Sequence, residues 1–161
     1  MNSFKVEMRY NDKIMKDFYK FHYSTISNIT FALGMAMLIA GIICLFFNWI
    51  SGLLLCVLAI GVAYTPQTII MSSLNANKRM LNAEDSFIFS QDGVQVHSEI
   101  LGEVKINEKY DYSQFISVKD YKDYLYLYMT KTSAIIIEKS KITKRQADFI
   151  KNTILKNIPQ K

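Results

Sequence analysis

The sequence predicts a two-helix membrane hairpin joined to an α+β domain, in which a curved antiparallel β-sheet is closed by a C-terminal amphipathic helix. Three observations predict it. No Lys, Arg, Asp or Glu occurs from Tyr23 to Asn77. From Ser86 to Glu138, short runs of alternating apolar and polar residues are separated by turn residues, and from Thr143 onward the apolar spacing becomes helical. The expected organisation is an N-terminal strand and helix over 1–25, the hairpin over 26–71, a connector over 72–84, and the β domain with its helix over 85–161.

Phe4-Lys5-Val6-Glu7-Met8-Arg9-Tyr10 alternates with the period of a half-buried strand and needs a sheet to join. After Asn11 or Asp12, either able to cap, Ile14, Met15, Phe18, Tyr19 and Phe21 mark a short amphipathic helix suited to the membrane surface.

A hydrocarbon core of ~30 Å takes roughly 20 apolar helical residues, so the uncharged stretch suffices for two passes. They are expected at Ile26–Phe47 and Ile50–Met71, broken at Asn48, Ser51 and Gly52, with Trp49 at the interface. Pro66 is expected to bend the second span, with Thr65 satisfying part of the freed backbone. Ala32, Ala36 and Ala40, with Ala59 and Ala63, offer small surfaces for pairing within the hairpin. Cys44 and Cys56 fall inside the spans and report neither a disulfide framework nor a metal site. Lys5, Arg9, Lys13, Lys16 and Lys20 precede the hairpin, and Lys78 and Arg79 follow it. The turn carries no Lys or Arg, so a multi-pass plasma-membrane protein with both termini cytoplasmic is expected.

Beyond Ser73 the polar chain is expected to continue as helix before a connector. Strands follow at Ser86–Ser90 and Val94–Ser98 around the Gln91-Asp92-Gly93 turn, then at Gly102–Asn107, Gln114–Asp120, Tyr124–Thr130 and Ser133–Glu138. The last helix opens on a Thr143/Gln146 capping box and carries Ala147, Ile150, Ile154, Leu155 and Ile158 on one face, with Pro159 ending it.

This order of elements resembles the plan of pleckstrin-homology-like (PH-like) domains, a half barrel closed by one helix. The whole chain resembles the YcxB-like family of bacterial membrane proteins. The residues that carry the resemblance are Phe87-Ile88-Phe89, Asp92-Gly93-Val94, Tyr110-Asp111-Tyr112-Ser113, Tyr124-Leu125-Tyr126-Leu127-Tyr128 and Ala134-Ile135-Ile136-Ile137-Glu138-Lys139. The family often has Ile-Pro-Lys where this sequence has Ile137-Glu138-Lys139. The resemblance implies architecture and no biochemical activity.

Catalytic signatures are absent from the sequence. His22 and His97 lack the spacing of a zinc motif, and there is no Gly-rich phosphate loop, Gly-x-Ser-x-Gly or His-Glu-x-x-His. The adjacent acids Glu84-Asp85 read as surface residues. The net charge of +5 is modest and mixed in sign, which argues against nucleic acid as a partner. Tyr124, Tyr126 and Tyr128 share one face of their strand and are expected outward or half-covered, with Leu125, Leu127 and Met129 in the core. Those tyrosines, with Lys144, Arg145 and Lys151 on the final helix, form the candidate binding surface. The expectation is a bilayer-anchored, non-catalytic module without a cofactor, binding a protein partner or an anionic lipid. The alternative is a structural subunit that assembles through its hairpin.

Overall fold

The structure is a computed structural model describing residues 3–78, 83–100 and 103–158, with backbone alone at 100 and 103–105. The chain divides into two compact units, residues 12–78 and residues 1–11 with 79–161. The N-terminal strand is thus separated from the helix that follows it and belongs with the C-terminal domain, where the sequence had suggested one 1–25 segment.

In the helical unit, α1 (Asp12–His22) leads through Tyr23 into α2 (Ser24–Leu45), and α3 (Trp49–Ala76) returns antiparallel to α2. Asn48 caps α3, its side chain accepting from the Ser51 amide at 3.3 Å. As expected, helix continues past the second span at Met71 into the polar chain, and it stops at Ala76, with Asn77 as its C-cap. Pro66 does not end it, and Thr65 Oγ1 donates to the Gly61 carbonyl at 3.1 Å. Both helices are long and apolar enough to cross a membrane, and only 11% of either apolar window is buried inside the molecule.

The two helices meet on small residues, including Ala59 and Ala63 of the five expected alanines. Gly34 of α2 faces Ala59 and Ala63 of α3, and Gly41 faces Gly52 and Cys56; the buried Gly34 and Gly41, like the buried Gly52, Ala59 and Pro66, recur every seven residues. A seven-residue repeat keeps one seam facing its partner along a left-handed crossing. Ala32, Ala36 and Ala40 point outward.

The other unit holds two antiparallel sheets. β1 (Phe4–Arg9), β2 (Glu84–Phe89), β3 (Val94–Ile100) and β4 (Glu103–Tyr110) form one in sequence order; β5 (Ser117–Tyr121), β6 (Tyr124–Tyr128) and β7 (Ala134–Glu138) form the other. β1 pairs with β2 along its whole length, from Phe4 opposite Phe89 to Arg9 opposite Glu84. The meander is interrupted because Tyr112–Gln114 forms a 3-10 turn, closed by the Gln114 side chain on the Asp111 amide at 2.8 Å. The strand expected from Gln114 therefore starts at Ser117. At the Asp92-Gly93 turn, Gly93 has φ +153°, and a Cβ there would collide with the Tyr110 carbonyl oxygen. Lys122 takes the left-handed φ of +47° in the two-residue turn between β5 and β6.

Helix α4 (Lys144–Asn157) begins on the expected capping box, with Gln146 N donating to Thr143 Oγ1 and Thr143 N to Gln146 Oε1. It packs on β5 and the 3-10 turn. Ile150 and Ile154 are fully buried, whereas Leu155, expected on the same face, is exposed. Phe87, Phe89, Val94, Phe115, Leu125, Leu127 and Ile137 complete the core. Phe4 stacks on Phe89 and meets Phe149 of α4 edge-on, so β1 contributes to the core as well as to the sheet. The long apolar helices, the antiparallel sheets and the final helix together make an α+β layout. Gly102 and Pro159, named above for a strand start and a helix stop, lie outside the described residues.

Candidate functional site

The tyrosine ladder is interior. Tyr124, Tyr126 and Tyr128 are 7, 0 and 7% exposed, and all five residues of β6 are buried. Alternation failed there because β6 is the central strand of its sheet and is covered on both faces, so both parities are apolar in character. Lys151 of α4 reaches Asp120, which shares a face with Leu125. The helix therefore lies over the leucine face, and the tyrosines fill the other.

The basic face of α4 is also partly committed. Lys151 Nζ lies 2.9 Å from Asp120 Oδ2 and 3.6 Å from Asp148 Oδ1, and Lys139 pairs with the same Asp120. Lys139 and Lys151 hold the Asp120 carboxyl below the usual carboxylate range. Lys144 and Arg145 remain exposed. Of the six candidate surface residues, those two keep the accessibility expected of them.

The sheet of β1 to β4 offers a different surface. Its inner parity carries Phe4, Val6 and Met8, then Phe87 and Phe89, then Val94 and Val96. The outer parity is polar: Lys5, Glu7 and Arg9 on β1, Glu84 and Ser86 on β2, His97 and Glu99 on β3. These side chains line a groove of about 370 Å³, with Lys141 at its margin. Across it, Glu7, Ser86 and His97 stand in one row, and Arg9, Glu84 and Glu99 in the next.

Acidic and basic side chains meet in the groove. Lys5 Nζ lies 2.7 Å from Glu7 Oε1, Arg9 Nε 3.9 Å from Glu84 Oε1, and His97 Nε2 3.1 Å from Glu99 Oε1. The Lys5 ammonium holds the Glu7 carboxyl below its ordinary value. At the groove floor, Asp85 turns inward and accepts from Ser98 Oγ. Burial raises the Asp85 carboxyl, and hydrogen bonds from Ser98 and Tyr10 moderate that rise. Burial likewise raises the Tyr10 hydroxyl, with Asp85 beside it acting in the same direction.

A groove with carboxylates and cations side by side suits a polar, mixed-charge ligand better than an acyl chain or a polyanion. Among the described residues, no group of three or more His, Cys, Asp or Glu is arranged to hold a metal. Sequence reasoning missed this groove because its two halves lie on opposite sides of the hairpin in the chain. The available signal was the matching polar parity of Lys5, Glu7 and Arg9 with Glu84 and Ser86.

Two apolar helices thus lie in the sequence between the first strand of an α+β unit and the rest of that unit. Residues 103–154 match the family model described as YcxB-like protein, so this part of the chain is similar to YcxB-like proteins. The match runs from β4 into α4 and contains three of the five resembling motifs. No curated protein and no solved structure matches the chain.

Proposed function

We propose that this chain is a membrane-anchored, non-catalytic binding module whose α+β unit sits on the cytoplasmic face of the plasma membrane and takes a segment of a protein partner in the β1–β3 groove. The observation that carries the reading is the pairing of β1 with β2 across the hairpin. A strand that precedes two spans can join a strand that follows them only if both ends of the hairpin emerge on one side. The outward-facing Phe31, Ile39, Leu54 and Ile60 supply a surface that water would not tolerate over such a length. The basic residues flanking the hairpin favour the cytoplasm as that side. We read the two sheets and α4 as a PH-like half barrel, with the groove on the polar face of the β1–β4 sheet, away from its core side.

Two measurements test this. Carbonate extraction should leave the chain in the membrane pellet. In a background lacking Cys44 and Cys56, Asn48→Cys should react with an impermeant maleimide in intact cells and Asn152→Cys only after permeabilisation. Reversed labelling would overturn the orientation. For the groove, a photoreactive amino acid replacing Ser86 should give a discrete polypeptide adduct in membranes, and one replacing Asn152 should not. Equal adducts at both positions, or lipid adducts alone, would remove the groove reading.

The outward position of Ala32, Ala36 and Ala40 favours a second reading, a structural subunit that assembles through the hairpin. On that reading, a hairpin grafted to a foreign soluble domain retains the partner.

A further inference from the structure

Helix α1 does not lie with its apolar face in the lipid surface. Ile14, Met15, Phe18 and Tyr19 are buried, and α1 packs on α3. Asn77 Nδ2 donates to Tyr19 Oη at 2.7 Å, and Tyr23 Oη lies 3.4 Å from Ser73 Oγ. Helical hydrogen bonds also continue through Tyr23, whose amide donates to the Tyr19 carbonyl and whose carbonyl accepts from Ser27 N. Thus α1 joins α2 through Tyr23, and Tyr19 at its C-terminal end meets Asn77 at the polar end of α3. With 28 residues at 1.5 Å each, α3 is about 42 Å long, roughly 12 Å more than a hydrocarbon core. The surplus is the part that α1 covers.

Opposite the buried face, Lys13, Lys16 and Lys20 form one exposed stripe at i, i+3 and i+7. The acids of the helix, Asp12 and Asp17, stand beside the stripe, and Lys78 adds a further exposed cation at the same end of this unit. No other charged side chain occurs in this unit. The α4 cations belong to the other unit, whereas the α1 lysines are fixed to the spans by packing, hydrogen bonds and near-continuous helix.

We propose that the lysine stripe of α1 is a binding site for anionic phospholipid headgroups, with Lys20 as its principal contact. The inference rests on the membrane-anchored reading above. Counted from Ser24 at 1.5 Å per residue, Lys20, Lys16 and Lys13 stand about 6, 12 and 17 Å up the helix. A headgroup layer is only about 5–8 Å deep on each side. Lys20 sits within it, Lys16 reaches it by extending its side chain, and Lys13 stands above it. Contributions should therefore fall in the order Lys20, Lys16, Lys13. A helix lying flat would weight the three equally.

The test uses the full chain in nanodiscs of equimolar phosphatidylglycerol and phosphatidylcholine, with the retained lipids counted by native mass spectrometry. Phosphatidylglycerol should be retained over phosphatidylcholine. Lys20→Gln should cut that preference about fivefold, the worth of one basic residue near an anionic surface. Lys16→Gln should cut it less and Lys13→Gln least, and Lys20→Arg should preserve it. No preference in the unsubstituted chain, or equal losses in the three Gln variants, would overturn the site. A chain that does not enter the nanodisc at all would overturn the anchoring reading, a separate and visible failure.

Discussion

Asp85 shares the inner parity of its strand with Phe87 and Phe89, so its carboxyl is directed into the core side of the sheet between Met8 and Ser98. Burial raises it, which means that the folded chain keeps this proton to higher pH than the unfolded chain does. Below the ordinary carboxylate value of 3.8 both states hold the proton and nothing is lost. As pH rises through that value the unfolded chain releases its proton first, and the folded state loses relative stability until its own carboxyl ionises; above that point the penalty is complete. Asp85→Asn removes the titration and keeps an acceptor for Ser98. Its melting temperature should exceed that of the unsubstituted chain at pH 7, and the gap should close as the pH is lowered toward 4. A variant that melts lower at every pH would show that the hydrogen bonds to the carboxylate outweigh its burial. This residue was half legible: the alternation of Asp85, Phe87 and Phe89 places it inside, but a strand starting at Ser86 leaves it out. Its partner Tyr10 follows β1 and its partner Ser98 lies on β3, and no local pattern connects them.

Elements differ in how openly the sequence declares them. The α4 cap was legible because Thr143 and Gln146 are three residues apart and interact locally, and Thr143→Ala should cost about 1 kcal/mol in a denaturant titration of the full chain, with Thr143→Ser close to neutral. The hairpin seam was half legible. Its helices are apolar on nearly all sides, so no polar face contrasts with the packed one; Ala59 and Ala63 were found by their spacing, whereas Ala32, Ala36 and Ala40 fit the same spacing but point outward and the seam of α2 is made by glycines spaced by seven. The geometry at Gly52 makes the difference measurable. A Cβ there would stand 2.6 Å from Leu45 N and 2.8 Å from the Gly41 carbonyl oxygen, both backbone atoms that cannot swing aside. Gly52→Ala should therefore destabilise the hairpin by about 1–3 kcal/mol in an SDS titration in mixed micelles. Gly61→Ala, where a Cβ meets nothing within 4 Å, should not. Equal effects at both glycines would indicate that helix propensity, rather than the seam, sets the response.

At the scale of the molecule, the decisive feature is a sheet whose first strand is made before the hairpin and whose remaining strands are made after it. The period-two pattern of Phe4 to Tyr10 identifies a strand, but its partner lies beyond two helices, and pairing at that separation leaves no local trace. Energetically, β1 is more than an edge strand. Val6 and Met8 are buried, Phe4 stacks on Phe89, and Tyr10 N donates to the Ala83 carbonyl. Removing residues 3–10 therefore takes Phe4, Val6, Met8 and Tyr10 from the core and unpairs one edge of β2 along its whole length, and that exposed edge then becomes a site for aggregation. Those residues belong to the unit of the sheets, not to the helical unit. The expected outcome in membranes is divided: the segment 83–158 becomes open to added protease, while the segment 12–78 stays in the carbonate-resistant pellet. A protease-resistant 83–158 segment after the deletion would mean that the sheet holds without β1. The same connectivity sets an order of events. On the membrane-anchored reading proposed above, closing β1 onto β2 waits for the spans to be made and for both flanks to emerge on one side, so the domain completes its sheet only once the hairpin is in place.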